Sequence, residues 1–170
     1  MKEINLLIRK LEKKITNPRK GLPEEVFLFL TRISPVINVD LLIRNKKGQI
    51  LLTWRKKGEK FLPGWHIPGG IIRFKEKIDK RLKLTAKNEL GCKVKFKKNP
   101  IEFSELHLNQ KNRSHFISLL FDCMIIDGPD KKLKYRKNKP QPGQWKWFDS
   151  CPKNIIQPHK RCRKYFLKQN

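Results

Sequence analysis

The residues with the clearest chemical potential are two glycines and two glutamates at fixed distances along the chain. In chain order they are Gly69, Gly70, Glu76 and Glu89. Because glycine has no side chain, the glycine pair lets the backbone approach a bulky or charged ligand closely. A carboxylate on the helix that follows is placed to meet the same ligand. This combination predicts a binding site for a charged ligand.

The helix predicted after the glycine pair directs one carboxylate inward. Ile78, Leu82, Thr85 and Glu89 recur along it at helical spacing. At about 100° per residue, these four side chains lie within about 60° of one another. Glu89 therefore shares the apolar face, where a carboxylate one turn from the helix end needs a cation as its partner. Gly91 supplies the C-terminal cap of this helix.

Apolar and β-branched runs predict strands on both sides of this helix. The first two predicted strands span 36–44 and 49–55, and Asp40 lies inside the first of them. An unpaired buried carboxylate costs several kcal/mol, so we expect Asp40 to have a specific partner. Arg55 ends the second strand, at the start of a loop predicted over 56–63. Further strands are predicted at 93–96, 101–108, 115–126 and 145–148, before a C-terminal helix over 154–167.

The first residues of the chain have a separate, basic pattern. Residues 3–16 place isoleucines and leucines at helical spacing between lysines and arginines, and Pro18 ends this predicted helix. An amphipathic basic helix can lie on a membrane or dock on a partner. Packing on its own domain or on a dimer mate is the commoner outcome, and we expect it here. A short second segment begins at Pro23 and adds further apolar residues.

Composition limits the size of the fold and the choice of partners. The chain has 170 residues, which suits one ordinary domain with a core of its own. Its 41 Lys+Arg against 15 Asp+Glu give a formal net charge of +26. Such a charge favours anionic partners, including nucleotides and nucleic acid. A lysine-rich solvated surface explains the same charge equally well, because the lysines are spread along the whole chain.

The cysteines and the apolar runs indicate the cellular setting. The four cysteines are widely spaced and form no C-x-x-C pair, so we expect neither a zinc site nor a dense disulfide framework. The N-terminus lacks the apolar stretch of a secretory signal, and no apolar run approaches membrane-spanning length. These features predict a soluble cytoplasmic protein with reduced thiols.

The spacing of the glycines and glutamates resembles the Nudix box, G-x5-E-x7-R-E-U-x-E-E-x-G-U, in which U is aliphatic. The matching positions are occupied by Gly70, Glu76, Glu89 and Gly91. Residues 65–70 also resemble the W-x-x-P-G-G approach to that box. The resemblance implies an α/β fold, the Nudix α/β/α sandwich with a mixed sheet. It implies a Nudix domain over 35–170, with residues 1–34 as an N-terminal extension that contains the amphipathic helix.

The helix departs from the family pattern. The box arginine and two of the box carboxylates are replaced by Leu84, Thr85 and Asn88. This reduced box resembles that of the GDP-mannose mannosyl hydrolases. That resemblance implies a single Mg²⁺, held by the backbone carbonyl of Gly69, by Glu89 and by Gln141 on the loop before the last strand.

The same resemblance implies hydrolysis at carbon rather than at phosphorus. Water attacks the anomeric carbon of a nucleotide sugar such as GDP-mannose, and the nucleoside diphosphate leaves. The candidate substrate-binding residues are Asp40, Arg55 and Arg73. Arg55 is also the candidate catalytic partner of the departing phosphate oxygen. Arg73 is the substitute for a family arginine at the position of Ile71.

The position that holds the general base in the family departs furthest from the family pattern. The family's catalytic histidine falls at the position of Pro142. His107 is the candidate that replaces it, with His115 and Glu105 as alternatives. The remaining histidines, expected to be structural or without a role, are His66 and His159.

Two other functions stay open. A phosphoanhydride-cleaving Nudix pyrophosphatase would use the same Mg²⁺ site on a different bond. A non-catalytic Nudix fold would instead bind RNA or nucleotides through its basic surface, which the missing carboxylates and the charge of +26 favour. The N-terminal helix further predicts a homodimer.

Overall fold

Two β-sheets form the centre of the fold. The computed structural model describes residues 2–55 and 63–166, so most of the loop predicted over 56–63 and the chain end at 167–170 lie outside the described residues. The described strands are, in chain order, β1 (Val36–Ile43), β2 (Ile50–Arg55), β3 (Gly64–His66), β4 (Gly69–Ile71), β5 (Lys93–Phe96), β6 (Glu102–His107), β7 (His115–Asp127) and β8 (Trp145–Phe148). The six strands predicted by residue range all form, with ends within one residue of the expected positions.

The larger sheet is mixed. Its strands lie in the order β4, β1, β7 and β5, and β6 pairs with the first half of β7. β1 runs parallel to β7, with Asp40 opposite Leu120, whereas the other pairs of this sheet are antiparallel. The smaller sheet is antiparallel, in the order β3, β2 and β8. The predicted mixed sheet is therefore confirmed.

Helices connect and cover these sheets. Those in the described residues are α1 (Lys2–Lys14), α2 (Glu24–Ile33), α3 (Ile78–Leu90) and two 3₁₀ helices at Lys131–Leu133 and Gln157–Tyr165. α3 ends at the predicted cap, because Gly91 has a φ of 62° and donates its N–H to the carbonyl of Lys87. The sequence predicts a start near Lys75 or Glu76, but α3 begins at Ile78, because Lys75, at a φ of 54°, does not adopt a helical conformation. The predicted C-terminal helix forms as the second 3₁₀ helix.

The core consists of two apolar clusters on opposite faces of the larger sheet. Successive residues of β1 alternate between these faces, so this strand contributes to both clusters. The cluster beneath α3 includes Val39, Leu41, Leu82, Ala86, Leu90 and Phe121. The cluster beneath the C-terminal 3₁₀ helix includes Leu42, Trp54, Trp65, Cys162 and Phe166. The chain therefore has the layered α/β/α arrangement that the sequence predicts.

The two N-terminal helices differ in how they meet this core. None of the residues of α1 is buried, and its apolar side chains, such as Ile4 and Leu7, are exposed. The expectation that α1 packs on its own domain is therefore wrong, whereas packing on a dimer mate stays a prediction. α2 contacts the body of the fold through Thr31, whose Oγ1 accepts the N–H of Arg113 at 3.1 Å. Among the described helices, none has the length and apolar content needed to span a membrane.

The four cysteines are free and buried. Burial raises the pKa of Cys92 to about 11 and the pKa values of Cys123 and Cys162 to about 12. Burial raises the pKa of Cys151 as well. Because the thiolate is the reactive form, thiols with raised pKa values are weak nucleophiles and weak metal ligands at neutral pH.

Candidate functional site

The glycine pair and Glu89 meet between β4 and α3. The N–H of Gly69 donates to Glu89 Oε1 at 3.1 Å. Thr53 Oγ1, on β2, lies 3.2 Å from Glu89 Oε2 and forms the second hydrogen bond of this carboxyl group. The side chain of Glu89 thus joins α3 to a strand of each sheet. The structure thus places Glu89 beside the backbone of Gly69, whose carbonyl is another predicted metal ligand.

Both glycines are required by close contacts. A Cβ on Gly69 would collide with the carboxylate of Asp40. A Cβ on Gly70 would lie 2.5 Å from Thr85 Oγ1 and 3.0 Å from the Cδ of Arg81. The strand therefore lies directly against α3 and against β1, and a side chain at either position would push it away from Glu89.

The protonation of Glu89 is coupled to Thr53 and His66. Burial raises the pKa of Glu89 to about 7. The Gly69 N–H, the charge of Arg55 and the Thr53 hydroxyl favour the ionised form and partly offset this rise. Burial lowers the pKa of His66 well below its ordinary value, so its ring is neutral. His66 Nδ1 lies 2.9 Å from the carbonyl oxygen of its neighbour Ile67, which places the ring proton there.

The remaining ring nitrogen then acts as an acceptor. His66 Nε2 lies 3.1 Å from Thr53 Oγ1 and can accept its proton. A hydroxyl has one proton, so Thr53 donates to Glu89 when that group is ionised and to His66 when it is not. When Glu89 is protonated it donates to Thr53, and the three side chains form one chain. A cation at Glu89 would take the place of the carboxyl proton. His66 has the structural role expected for it.

Glu76 is held by an arginine that the box spacing does not predict. Arg81 Nε and Nη2 donate to Glu76 Oε2 at 2.8 and 2.6 Å, and the Arg73 N–H donates to the same oxygen at 3.0 Å. Burial would raise the pKa of Glu76, but these hydrogen bonds outweigh it and the pKa is lowered. Arg81 lies three residues before Leu84, on the same side of α3. That one-turn offset is the signal by which sequence analysis could have found it.

A cleft with a volume of about 760 Å³ opens beside the glycine pair. Its charged and polar lining includes Asp40, Arg55, Arg73, Arg81, Arg113 and His159. Its apolar lining includes Phe27, Leu30, Phe74, Leu106 and Phe116. Arginines suit phosphate groups, and aromatic side chains suit the flat face of a base or the apolar face of a sugar. The cleft therefore has the chemistry to hold a nucleotide.

Arg55, at the end of β2, and Arg113, just before β7, both line this cleft. Loss of hydration lowers the pKa of Arg55, while the charges of Glu89 and Asp40 favour its protonated form. The guanidinium of Arg113 lies 4.6 Å from the ring centroid of Phe27, which belongs to α2. Together with the Thr31 hydrogen bond, this contact holds α2 as a wall of the cleft.

Asp40 is enclosed by partners of its own. Ser118 Oγ donates to Asp40 Oδ2 at 2.6 Å, and Arg161 Nη2 donates to the same oxygen at 2.8 Å. Asn38 Nδ2 donates to Oδ1 at 3.0 Å. The expectation of a specific partner for Asp40 is confirmed, and that partner, Arg161, was missed by sequence analysis. This geometry supports a role for Asp40 in positioning Gly69 rather than in touching a substrate.

Arg161 continues from Asp40 to a second carboxylate, Glu102. Arg161 Nη1 donates to Glu102 Oε1 at 3.0 Å. The other donors to Glu102, at distances between 2.6 and 2.8 Å, are Ser104, Lys164 and Tyr165. Burial would raise the pKa of Glu102, but these hydrogen bonds lower it to about 2. The network fastens the C-terminal 3₁₀ helix to the larger sheet.

His159 belongs to the same region, although sequence analysis gives it no role. Its Nδ1 accepts the N–H of Ile67 at 2.9 Å, so its proton resides on Nε2, which lies 3.8 Å from Asp40 Oδ1. Burial lowers the pKa of His159 to about 3. The ring is therefore neutral, and it fixes the backbone just before the glycine pair.

Two predicted site residues lie at the margin of this assembly. Gln141 is exposed, and its Nε2 donates to the carbonyl of Lys139 at 3.2 Å. Among the described contacts, none joins Gln141 to Glu89, so its predicted role as a metal ligand gains no support. Arg73 lies at the cleft, with its Nη1 3.5 Å from the carbonyl oxygen of Arg19.

The candidate bases lie on the opposite side of β6 from the cleft. Leu106 lines the cleft, and alternation along the strand directs Glu105 and His107 the other way. Glu105 Oε1 lies 2.9 Å from His107 Nε2 and 3.0 Å from His115 Nε2. The structure therefore does not bring His107, His115 or Glu105 to Glu89.

Solved structures with a similar fold are Nudix proteins. The MutT protein of Methanosarcina mazei Go1 has 21% identity over 68% of this chain and 78% of its own, with a TM-score of 0.52. A MutT Nudix hydrolase of Burkholderia pseudomallei has 16% identity over 78% and 98%, with a TM-score of 0.54. A Nudix hydrolase of Nitrosomonas europaea has 14% identity over 77% and 78%, with a TM-score of 0.53. No family model and no curated protein sequence matches the chain. The chain thus has the Nudix hydrolase fold.

Proposed function

We propose that this protein is a Mg²⁺-dependent Nudix hydrolase that cleaves a nucleotide sugar, such as GDP-mannose, into a nucleoside diphosphate and a free sugar. The observation that carries the proposal is the single inward carboxylate of the box helix. Glu89 contacts the Gly69 backbone beside a cleft lined by arginines. The fold shared with Nudix hydrolases supports the same reading.

The donors at Glu89 fit one hard divalent cation. The Glu89 carboxylate and the Gly69 carbonyl are oxygen donors, and Mg²⁺ commonly combines one or two carboxylates with waters and substrate phosphates. Thr85 replaces a box carboxylate, and its buried Oγ1 has no hydrogen-bond partner among the described residues. This donor set fits one ion rather than a cluster. When bound, the cation would neutralise charge on the leaving pyrophosphate.

The arginines of the cleft complete this proposal. Arg55 lies near both Glu89 and Asp40, where its guanidinium can hold a phosphate in a bidentate way. Arg73 and Arg113 add positive charge at the cleft, which favours a diphosphate. Phe27 on α2 offers a face for the base. His107 is not part of this proposal, because it projects away from the cleft.

The bond that breaks can be tested directly. Turnover of a panel of nucleotide sugars with Mg²⁺ in ¹⁸O-water is expected to place the label in the free sugar. Label in a monophosphate product would instead establish phosphoanhydride cleavage and overturn the proposed mechanism. Glu89→Gln should abolish turnover, whereas the surface variant Asp149→Asn should retain it.

The non-catalytic alternative has one specific observation in its favour. Both oxygens of Glu89 have hydrogen-bond partners, Gly69 and Thr53, so the site is satisfied without an ion. Under this alternative, no nucleotide sugar is hydrolysed, Mg²⁺ does not bind, and RNA affinity falls steeply with salt. Turnover that requires Mg²⁺ would exclude it.

The cellular setting and the assembly belong to the same proposal. The exposed apolar face of α1 supports a homodimer, and the four free thiols support a cytoplasmic location. We keep the division into residues 1–34 and 35–170 as a prediction, although α2 lines the cleft of the larger part.

A further inference from the structure

A second group of metal-ligating side chains lies on the hairpin of β6 and β7. In this antiparallel pair, His107 is directly opposite His115, and Glu105 is opposite Ile117. Residues two apart on a strand share a face, so Glu105 and His107 project together. The cross-strand neighbour His115 projects from the same face. The sheet itself therefore gathers two imidazoles and one carboxylate.

The three side chains converge on one point. Glu105 Oε1 lies 2.9 Å from His107 Nε2 and 3.0 Å from His115 Nε2, and the two rings have centroids 4.4 Å apart. All three ligand atoms lie within 4.8 Å of one another. Metal bonds of about 2.0–2.2 Å place tetrahedral ligand atoms about 3.3–3.6 Å apart. Small rotations of these partly exposed side chains would supply the difference.

We propose that Glu105, His107 and His115 form a binding site for a first-row transition-metal ion of the Zn²⁺ type. Two imidazoles and one carboxylate suit Zn²⁺, Ni²⁺ or Cu²⁺, whereas Mg²⁺ takes oxygen donors. Three protein ligands leave a fourth position for water. The site is separate from the one at Glu89, and it does not depend on the proposed hydrolase function.

Other soft ligands in the chain offer little competition. The remaining histidines, His66 and His159, are buried. Both ring nitrogens of His66 and Nδ1 of His159 are hydrogen-bonded inside the protein. All four cysteines are buried, and burial raises their pKa values. In contrast, the side chains of His115, Glu105 and His107 are 37%, 55% and 70% exposed. Among the histidines and cysteines of the chain, those of this cluster are therefore the most accessible to an ion in solution.

The four histidines provide a built-in comparison for an experiment on the full-length chain. In long-range ¹H–¹⁵N spectra, Zn²⁺ is expected to shift the ring signals of His107 and His115. Mg²⁺ at the same concentration should leave these two sets of signals unchanged, although its binding at Glu89 would reach the His66 ring through Thr53. Zn²⁺-induced shifts confined to His66 or His159, or equal shifts of His107 and His115 with Mg²⁺, would overturn the site.

Variants of the cluster test the ligands one at a time by calorimetric titration with Zn²⁺. Glu105→Gln and His115→Gln should each weaken binding at least about tenfold, the lower end of the loss caused even by outer-shell partners. The matched surface variant Glu25→Gln should keep the affinity. Unchanged affinity in both cluster variants, or no saturable Zn²⁺ binding to the native chain, would show that the three side chains are only hydrogen-bonded to one another.

Discussion

Glu89 and Glu102 are two enclosed glutamates whose pKa values shift in opposite directions. Burial raises the pKa of Glu89 to about 7, and its hydrogen bonds come from a backbone N–H and a hydroxyl. Burial also acts on Glu102, but its pKa is lowered to about 2 by Lys164, Ser104, Tyr165 and Arg161. The protein supplies Glu102 with cations of its own. At Glu89 the hydrogen bonds come from neutral donors, and the charge of Arg55 also favours the ionised form.

This difference is the one expected between a carboxylate that stabilises the fold and a carboxylate that binds a ligand. A carboxylate with a complete set of internal cations contributes to the fold and has no need of a further ion. A carboxylate that burial disfavours gains most from a cation that arrives with a ligand. Variants of the two glutamates and of their partners therefore test this difference.

The largest effect is expected from Arg161→Met. It would leave Asp40 and Glu102 buried without their shared cation, at a cost of about 3–5 kcal/mol in the free energy of unfolding. Urea unfolding at pH 7 measures this loss. Lys164→Met is the control, because Lys164 is 60% exposed and its loss should cost less than about 1 kcal/mol. Equal losses in the two variants would show that Arg161 contributes no more to stability than the exposed Lys164.

Glu89→Gln should separate activity from stability. We expect turnover with Mg²⁺ to fall at least about a hundredfold, because loss of a ligand exceeds the usual cost of losing an outer-shell partner. Stability at pH 8 should not fall, because the amide removes a charge that burial disfavours. Steady-state rates and thermal unfolding measure the two effects. A destabilised variant with intact turnover would place Glu89 in the same class as Glu102.

The contributions of the two glutamates to stability should also change with pH in opposite directions. The pKa of Glu102 falls from 4.5 to about 2 on folding, so its contribution is present above pH 4.5 and lost as the pH falls toward 2. The pKa of Glu89 rises from 4.5 to about 7, so its contribution is present below pH 4.5 and lost as the pH rises toward 7. Each contribution amounts to roughly 1–3 kcal/mol.

Unfolding free energies measured from pH 3 to pH 8 would show both effects. Glu102→Gln is expected to flatten the acid side of the profile, and Glu89→Gln the side between pH 4.5 and 7. Identical profiles for the two variants would contradict pKa shifts of opposite direction at the two glutamates.

Local sequence patterns predicted much of this architecture. Period-2 and helical patterns depend on neighbouring residues, and they located the strands, α3 and its cap at Gly91. The same helical period correctly directed Glu89 inward. The sequence predicts a turn with close backbone approach at Gly69 and Gly70. The structure places both glycines in strand β4, where the close neighbours are the Asp40 carboxylate and the Thr85 hydroxyl.

Contacts between distant segments could not be predicted. Asp40 and Arg161 are 121 residues apart, and no local period links them. Gln141 was chosen by its order along the chain, whereas the loop around it is directed by hydrogen bonds such as that from the Gly143 N–H to Trp54. The position of His107 depended on which face of β6 meets the cleft, and that is decided by pairing with β7.

The burial of all four cysteines has a practical consequence for measuring how this fold opens. A thiol that is shielded from solvent reacts with an alkylating reagent only after the structure around it has come apart. Cys123 and Cys162 lie in different apolar clusters, so their alkylation rates would report separately on the two faces of the larger sheet. Mass spectrometry of alkylated peptides would thus time the opening of each face in the native chain, without any added label.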